Sequence, residues 1–309
     1  MTAILTHAPA RSAGGLLLAL SVGLACGSAA AGEIPAPLPD DEQAVALVTG
    51  STGGLGREVA LELAATGAHV IIHGRSRERG AEVVREIESA GVGSASFHAA
   101  DFASLGAVRD FADTVLADYK RLDILVNNAG IWLESDEGRV LSEDGHELHF
   151  QVNYLSHYLL TRLLLPRIID AAPARIVNVA SGAQQPLDFD NVMLERGYSD
   201  MRAYSQSKLA QILFTVDLAD ELEGTGVTVT TLHPATMMDT GMVLSRGAAP
   251  RSSVDEGTAA VLNLVLSKEV SHGAYYNGQQ EGRPHRQARD DAARAALRRL
   301  SNALTGLPR

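Results

Sequence analysis

The stretch Val45-Ala-Leu-Val-Thr-Gly-Ser-Thr-Gly-Gly-Leu-Gly56 decides the fold of this chain. Its apolar start predicts a buried strand over residues 45–48, and the apolar positions of residues 55–65 recur at helical spacing. Between them, Gly50, Gly54 and Gly56 let the backbone turn sharply and approach a ligand closely. A strand, a glycine loop and a helix in this order favour a site that holds a pyrophosphate on backbone amides. A plain glycine-rich turn is the alternative interpretation.

The rest of the chain alternates strands and helices in the same way. Apolar runs predict strands over residues 69–73, 122–126, 175–179 and 227–232, with a short strand before Asp101. Amphipathic patterns predict helices over residues 55–65, 77–90, 105–119, 148–169, 204–223 and 254–266, and a charged terminal helix over residues 283–299. This alternation predicts an α/β fold, a Rossmann-type doubly wound parallel sheet between two helix layers. We expect one catalytic domain over residues 44–280 and a helical tail over residues 281–309.

A tyrosine and a lysine lie one helical turn apart in Tyr204-Ser-Gln-Ser-Lys208. A free phenol has a pKa near 10 and exchanges protons poorly at neutral pH. At a dielectric of about 20 and a distance of about 4 Å, an ammonium stabilises the phenolate by roughly 4 kcal/mol, or about three pKa units. We therefore expect Lys208 to lower the pKa of Tyr204 and Tyr204 to act as a general acid or base. A chance pair on a solvated helix face is the alternative.

Together these motifs resemble the short-chain dehydrogenase/reductases of the compact, single-domain kind. The resemblance covers about residues 44–280, and the stretch 203–214 is most similar to the retinol dehydrogenase-like branch. The matching positions, in the order in which the family has them, are Thr49, Gly50, Gly54, Gly56, Asp101, Asn127, Asn128, Ala129, Gly130, Asn153, Ser181, Tyr204, Lys208 and Pro234.

The resemblance implies a catalytic set of Asn153, Ser181, Tyr204 and Lys208. In such a set Tyr204 exchanges a proton with the substrate oxygen, which the Ser181 hydroxyl stabilises as charge develops. Lys208 holds the nicotinamide ribose and tunes Tyr204, and Asn153 connects this pair to solvent. A turn serine and a local polar kink in a helix are the structural alternatives for Ser181 and Asn153. The reaction implied is the interconversion of a carbonyl compound and its alcohol.

The end of the second strand favours NADP(H) over NAD(H). An NAD site carries an acidic residue there, whereas this chain has Gly74 followed by Arg75, which can pair with a 2′-phosphate. The resemblance gives Asp101 a contact with adenine and Asn128 a mainly structural role. Thr236 or Thr240 would bind the nicotinamide amide. The expected cofactor-binding residues are Gly50, Thr52, Gly54, Leu55, Gly56, Arg75, Asp101, Phe102, Asn128, Ala129, Gly130, Tyr204, Lys208, Pro234 and Thr236.

The expected substrate is a lipophilic ketone or aldehyde. The loops that should form its pocket supply apolar side chains and adaptable methionines. We expect an insertion over residues 184–200 to cover part of this pocket. The run His146-Glu-Leu-His149 has the wrong spacing for zinc, so we interpret it as a helix surface and expect no metal site. The predicted pocket residues are Ile131, Trp132, Leu133, Leu187, Phe189, Met237, Met238 and Met242.

Composition agrees with an enzyme of this kind. The chain has 309 residues and a net charge of −11, which argues against general binding of nucleic acid or of an anionic membrane. Its single cysteine, Cys26, leaves no intrachain disulfide pair in this sequence. Residues 1–31 resemble a secretory signal, with a mis-assigned start as the alternative, and a linker completes an extension over residues 1–43.

Because NADP(H) is maintained inside the cell, we expect a cytoplasmic protein. It would associate with a membrane only through that extension. A homo-oligomer is one possible assembly. The competing function is a non-catalytic NADP(H)-binding sensor or scaffold.

Overall fold

The structure is a computed structural model that describes residues 43–133 and 138–308. Its centre is an eight-stranded sheet with the strand order β3-β2-β1-β4-β5-β6-β7-β8. Strands β1 to β7 are parallel, and β8 pairs antiparallel with β7. The strands are β1 (Val45–Val48), β2 (His69–Gly74), β3 (Ser94–Ala99), β4 (Ile124–Asn127), β5 (Ala174–Val179), β6 (Val227–His233), β7 (Tyr275–Asn277) and β8 (Gln280–Glu281).

Helices cover both faces of this sheet. They are α1 (Gly54–Ala65), α2 (Arg77–Ala90), α3 (Leu105–Asp118), α4 (Leu148–Phe150), α5 (Ser156–Asp170), α6 (Asp200–Glu221), α7 (Gly241–Leu244), α8 (Val254–Leu266) and α9 (Asp291–Thr305). A π-helical turn at Gln151–Leu155 joins α4 to α5, and a 3-10 turn at Arg286–Arg289 precedes α9. The prediction of a doubly wound α/β sheet in three layers is confirmed.

The sheet separates two apolar cores. One core lies between the sheet and α3, α5, α6 and α9, and the other lies between the sheet and α1, α2 and α8. Strands β1 and β4 are buried along their whole length, as expected of parallel strands that are covered on both faces. Strands β1 and β4 are neighbours in the sheet although they are not consecutive in the sequence. Between them the order in which the chain adds strands to the sheet reverses, and such a point opens a crevice at the carboxyl ends of the strands.

Three predicted helix boundaries are wrong. The helix predicted over residues 148–169 is broken by the π-helical turn. The helix predicted from residue 204 begins at Asp200, because the Ser199 hydroxyl accepts the Arg202 N–H and caps an earlier turn. The helix predicted over residues 283–299 begins at Asp291, where the Asp290 carboxylate accepts the Ala292 and Ala293 N–H groups.

The last helix belongs to one of the two cores. Leu297 of α9 is buried in that core, and the Ser301 hydroxyl lies 2.6 Å from the Tyr154 hydroxyl. Tyr158 donates a hydrogen bond to Asn302 at 2.5 Å. Packing on α6 therefore fixes α9 on the face of the sheet that carries α5. Among the described residues, no helix is both long and apolar enough to cross a membrane.

Candidate active site

A cavity of about 810 Å³ opens at the carboxyl ends of the central strands. The elements that line it are the glycine loop after β1, the ends of β2 and β5, the turns after β4 and β6, and α6. Every predicted catalytic and cofactor-binding residue except Asn153 lies in its wall. The cavity wall contains Gly50, Thr52, Gly54, Leu55, Gly56, Arg75, Asp101, Phe102, Asn128, Ala129, Gly130, Ser181, Tyr204, Lys208, Pro234 and Thr236.

Close packing requires glycine at two positions of the loop after β1. Gly50 has a φ of +67°, and a Cβ there would lie 2.8 Å from the Ala129 Cα. A Cβ at Gly56 would lie 2.5 Å from the Gly50 carbonyl oxygen and 2.4 Å from the Asn128 amide nitrogen. The loop is thus folded tightly against the turn after β4, and its amides border the cavity.

Asn128 braces that loop. Its amide nitrogen donates to the Thr49 carbonyl at 2.8 Å, while the Asn128 and Ala129 N–H groups donate to the Thr49 hydroxyl, each at 2.9 Å. The Thr49 hydroxyl lies 3.0 Å from His157 Nε2, and His157 Nδ1 lies 3.0 Å from the Asn153 carbonyl. Because a carbonyl only accepts, His157 donates through Nδ1 and accepts the Thr49 hydroxyl through Nε2.

His157 is a residue that sequence reasoning missed. Burial is the main cause that lowers its pKa, to about 3, so the ring is neutral at physiological pH. A neutral ring agrees with the two hydrogen bonds, since it donates through Nδ1 and leaves Nε2 as an acceptor for the Thr49 hydroxyl. In the sequence His157 is one polar residue in an apolar helix, and no motif distinguishes it.

Three of the predicted catalytic residues, Ser181, Tyr204 and Lys208, lie at one wall of the cavity. Helix α6 carries Tyr204 and Lys208, and Ser181 follows β5. The Ser181 side chain lies near the Tyr204 hydroxyl and lowers the pKa of that group. Lys208 Nζ donates to the Val179 carbonyl at 2.8 Å and to Gln211 Oε1 at 2.9 Å, and it lies 5.9 Å from the centre of the Tyr204 ring.

The expectation of a lowered Tyr204 pKa is wrong for this arrangement. Burial raises the pKa of Tyr204, and the two influences that oppose this rise are the Ser181 side chain and the charge of Arg246. Burial also lowers the pKa of Lys208 to about 7. The physical reason is that the Lys208 ammonium binds Val179 and Gln211, and that burial disfavours the charged form of this lysine.

Asn153 lies behind the cavity wall, at the centre of the π-helical turn. Its Oδ1 accepts the Ile131 N–H at 2.8 Å, and its Nδ2 donates to the Ile131 carbonyl at 3.0 Å and to the Ser207 hydroxyl at 2.9 Å. A Cβ at Gly130 would lie 3.3 Å from Asn153 Oδ1 and 3.5 Å from Lys208 Nζ. Gly130 therefore leaves room for Asn153 and Lys208 to lie near one another.

The far end of the cavity is basic. Arg75 follows β2 and lies 3.7 Å from the Asp101 carboxylate, and both side chains are exposed. Arg79, one turn along α2, lines the same end of the cavity, although the sequence analysis did not single it out. Its signal was its place at the start of the helix that follows β2, close to Arg75 in the sequence. A Cβ at Gly74 would lie 2.7 Å from the Thr52 hydroxyl, so a larger residue there would displace Thr52.

The apolar end of the cavity differs in part from the prediction. Ile131, Trp132, Leu133, Met237, Met238 and Met242 line it as expected. Leu187 and Phe189 do not, because Leu187 is buried in the core and Phe189 packs against that core. Gln287 holds Leu187 through its backbone N–H and carbonyl, so the segment after β5 packs on the residues before α9. Met201, at the start of α6, lines the cavity instead.

The interpretation of residues 146–149 as a helix surface is wrong. Glu147 and His149 are buried, and His149 Nδ1 lies 2.8 Å from Glu147 Oε1. His149 Nε2 accepts the Leu133 N–H at 3.0 Å. The pair thus anchors the loop after β4. No group of three or more potential metal ligands occurs among the residues that the structure describes.

Comparisons with known proteins agree with the geometry. The sequence model for short chain dehydrogenase matches residues 44–250. Human retinol dehydrogenase 14 is 44% identical over 204 residues, which cover 61% of this chain and 60% of that protein. Human retinol dehydrogenase 13 is 34% identical over 287 residues, which cover 84% of each.

Two solved structures are also similar. A putative short chain dehydrogenase from Pseudomonas syringae has a TM-score of 0.63 at 28% identity, covering 79% of this chain and 99% of that one. A metagenomic short-chain oxidoreductase in complex with NADP has a TM-score of 0.58 at 29% identity, covering 74% of this chain and 93% of that one.

Proposed function

Because this chain belongs to the short-chain dehydrogenase family, in its retinol dehydrogenase-like branch, and is therefore an NAD(P)-dependent oxidoreductase, we propose that it interconverts a lipophilic ketone or aldehyde and its alcohol. In this proposal NADP(H) is the cofactor and Tyr204 is the general acid and base. The observation that carries it is that Tyr204, Ser181 and Lys208 share one cavity with a glycine loop and a basic far end.

The residues of the cavity fit a dinucleotide phosphate. The tight glycine loop offers backbone amides beside the N-terminus of α1, which suits a pyrophosphate. Arg75 and Arg79 suit a 2′-phosphate, and a residue with the carboxylate that an NAD site uses would have to displace Thr52 if it stood at position 74. The NADP complex of the metagenomic relative supports the same choice.

The two candidate threonines differ in their surroundings. Thr240 lies against Gly54 of the glycine loop, where a Cβ would meet its methyl group at 3.3 Å. Thr236 lies beside His233, whose Nε2 is 2.9 Å from the Thr236 hydroxyl. We therefore assign Thr240 to the diphosphate side and Thr236, with Pro234, to the nicotinamide side.

The protein residues would handle the proton and orient the carbonyl. Bound NADPH would supply the hydride. Since its pKa is raised, Tyr204 is protonated at neutral pH, which is the state that donates a proton to a carbonyl oxygen during reduction. Ser181 would stabilise the charge on that oxygen. Lys208 would hold the ribose. Asn153, which lies near Lys208, would connect Tyr204 and Lys208 to solvent, from which Tyr204 regains its proton.

The first experiment measures NADPH consumption by the full chain against retinal-like polyenals, steroid ketones, medium-chain aldehydes and aromatic ketones. We expect Tyr204→Phe to lower turnover by a factor of about 100 or more, and to leave the Kd for NADPH unchanged. Tyr119→Phe, in a cluster with His69 and Ser96 away from the cavity, is the matched control. Full turnover by Tyr204→Phe would contradict the mechanism.

Cofactor choice has its own test. We expect Arg75→Ala and Arg79→Ala each to raise the Kd for NADPH by about tenfold, since a hydrogen bond to a charged group contributes roughly 1.5–3 kcal/mol. The Kd for NADH should stay the same, because NADH has no 2′-phosphate. Arg77→Ala removes an exposed arginine between the two and serves as the control. Equal losses for both cofactors would contradict the assignment.

We also propose that the protein is cytoplasmic, because NADPH is regenerated there, and that its substrate is a small apolar molecule. Residues 1–42, which hold the signal-like segment, lie outside the described residues. Tight NADPH binding without turnover of any carbonyl in the panel would favour the sensor or scaffold function instead.

A further inference from the structure

Trp132 is the single tryptophan of the chain, and it lies beside the proposed proton donor. Its ring centre is 5.5 Å from that of Tyr204, and the two ring planes are inclined by 32°. Trp132 also lines the cavity, on the loop that follows β4. The indole therefore forms part of the wall that a substrate meets when its carbonyl approaches Tyr204.

Arg246 holds this indole in two ways. Its guanidinium carbon lies 3.6 Å from the centre of the Trp132 ring, which is the stacked geometry of a close cation–π contact. Its Nη2 donates to the Trp132 carbonyl at 2.6 Å. A planar guanidinium suits this double role, because it stacks on a ring while its N–H groups remain free to donate in the plane.

The neighbours of Trp132 are fixed by a different part of the protein. Asn153 binds the N–H and the carbonyl of Ile131, and His149 accepts the Leu133 N–H. Both of these residues lie in the helical segment 148–155. Arg246, in contrast, comes from the segment between α7 and α8, which follows β6. The contact with Arg246 thus ties the loop after β4 to the segment after β6.

We propose that Arg246 is a positioning residue that clamps Trp132 next to Tyr204, so that the indole becomes a fixed apolar wall that orients the carbonyl substrate. This inference rests on the proposed function for its consequence in catalysis. The clamp itself does not depend on the proposed function, because it concerns the position of Trp132 in the protein without substrate. A fixed wall reduces the orientations that a bound carbonyl can adopt, and this lowers the KM for substrates that fill the space beside it.

Fluorescence with selective excitation of tryptophan tests the clamp directly, because Trp132 is the single tryptophan of the chain. Arg246→Met keeps an unbranched apolar stem but removes the charge and the donor groups. We expect the acrylamide quenching constant of Trp132 to rise by about two- to fivefold, the population change that corresponds to a cation–π contact. Arg251→Met, at an exposed arginine of the same segment, should leave the constant unchanged.

Steady-state kinetics test the consequence. We expect Arg246→Met to raise the KM for the best carbonyl substrate by about two- to fivefold, the same factor as the population change, and to leave the Kd for NADPH unchanged. Arg246→Lys, which has the cation without the planar fork, should show a smaller rise in KM. Unchanged quenching and KM in Arg246→Met would overturn the proposal. Weaker NADPH binding without rescue by lysine would also overturn it, since that indicates general damage to the fold. If the unmodified protein turns over no carbonyl, the proposed function fails, and the quenching experiment still decides the clamp.

Discussion

Lys208 illustrates the cost of placing a charge in a protein interior. Its side chain is buried, and burial lowers the pKa of the ammonium to about 7. The ordinary value is 10.5, so the unfolded chain binds a proton between pH 7 and 10.5 that the folded protein does not bind. Ionisation of Lys208 therefore opposes folding. This opposition is fully present below pH 7 and disappears as the pH rises to 10.5.

Replacing this lysine should stabilise the protein while it removes the proposed function. We expect Lys208→Met to raise the free energy of unfolding at pH 7 by about 1–3 kcal/mol, after the loss of the hydrogen bonds to Val179 and Gln211. The gain should shrink at pH 9.5, because above pH 7 the folded parent has lost this proton while the unfolded chain still holds it. Urea unfolding at the two pH values measures both effects, with exposed Lys120→Met as the control. A variant that is less stable than the parent at both values would contradict this account.

The sequence predicts which residues of the site are present better than it predicts their contacts. The spacing of Tyr204 and Lys208 fixes a common helix face, and both line the cavity. It does not fix which acceptor a long, flexible lysine side chain binds, and here the Val179 carbonyl binds it. Arg246, the cation that opposes the rise in the Tyr204 pKa, lies 42 positions away and is fixed by tertiary contacts alone.

Among the elements, the π-helical turn at Gln151–Leu155 does most to shape the site. The wider turn places Asn153 so that its amide binds both backbone groups of Ile131. Sequence periodicity predicts an unbroken helix over residues 148–169, because one extra residue in a single turn barely changes the apolar pattern. The local polar kink, which is the structural alternative for Asn153 in the sequence, was therefore the more informative signal.

Asn153 should stabilise the loop after β4 in addition to its proposed role in the reaction. We expect Asn153→Ala to lower the free energy of unfolding by about 2–4 kcal/mol, because it leaves the Ile131 N–H and carbonyl without the partner that they have now. Faster exchange of the Ile131 amide hydrogen and loss of turnover should accompany it. Asn263→Ala on α8 is the control for removal of a partly buried asparagine. An Ile131 amide that stays protected in Asn153→Ala would contradict the proposed anchoring.

For the whole molecule, the regular alternation of apolar strands and amphipathic helices was sufficient to predict the layered sheet. Residues from distant parts of the sequence converge on the cavity because the carboxyl ends of parallel strands share one edge. The failures concern which loop residues are buried. His149 and Leu187 lie in the interior and bind Leu133 and Gln287, which are distant in the sequence, and local sequence carries no trace of those contacts.

The molecule should be sensitive to acid through two histidines that are buried uncharged. Burial lowers the pKa of His73 to about 4 and that of His157 to about 3, from an ordinary value of 6.5. His73 lies between Phe102 and Phe111 and accepts the Gly50 N–H, so a second proton on its ring would break a hydrogen bond of the glycine loop. Below pH 6.5 the unfolded chain gains protons that the folded protein cannot bind, and stability falls.

The two rings together should cost about 4 kcal/mol of stability on going from pH 8 to pH 5. Urea unfolding over this range measures the slope, and His157→Gln should remove about half of the loss, because glutamine offers a donor and an acceptor but does not titrate. His146→Gln changes the histidine count by one and leaves both buried rings in place, so it should keep the full slope. If His157→Gln and the parent lose stability equally between pH 8 and pH 5, the loss arises elsewhere in the protein, and the neutral His157 does not set its acid limit.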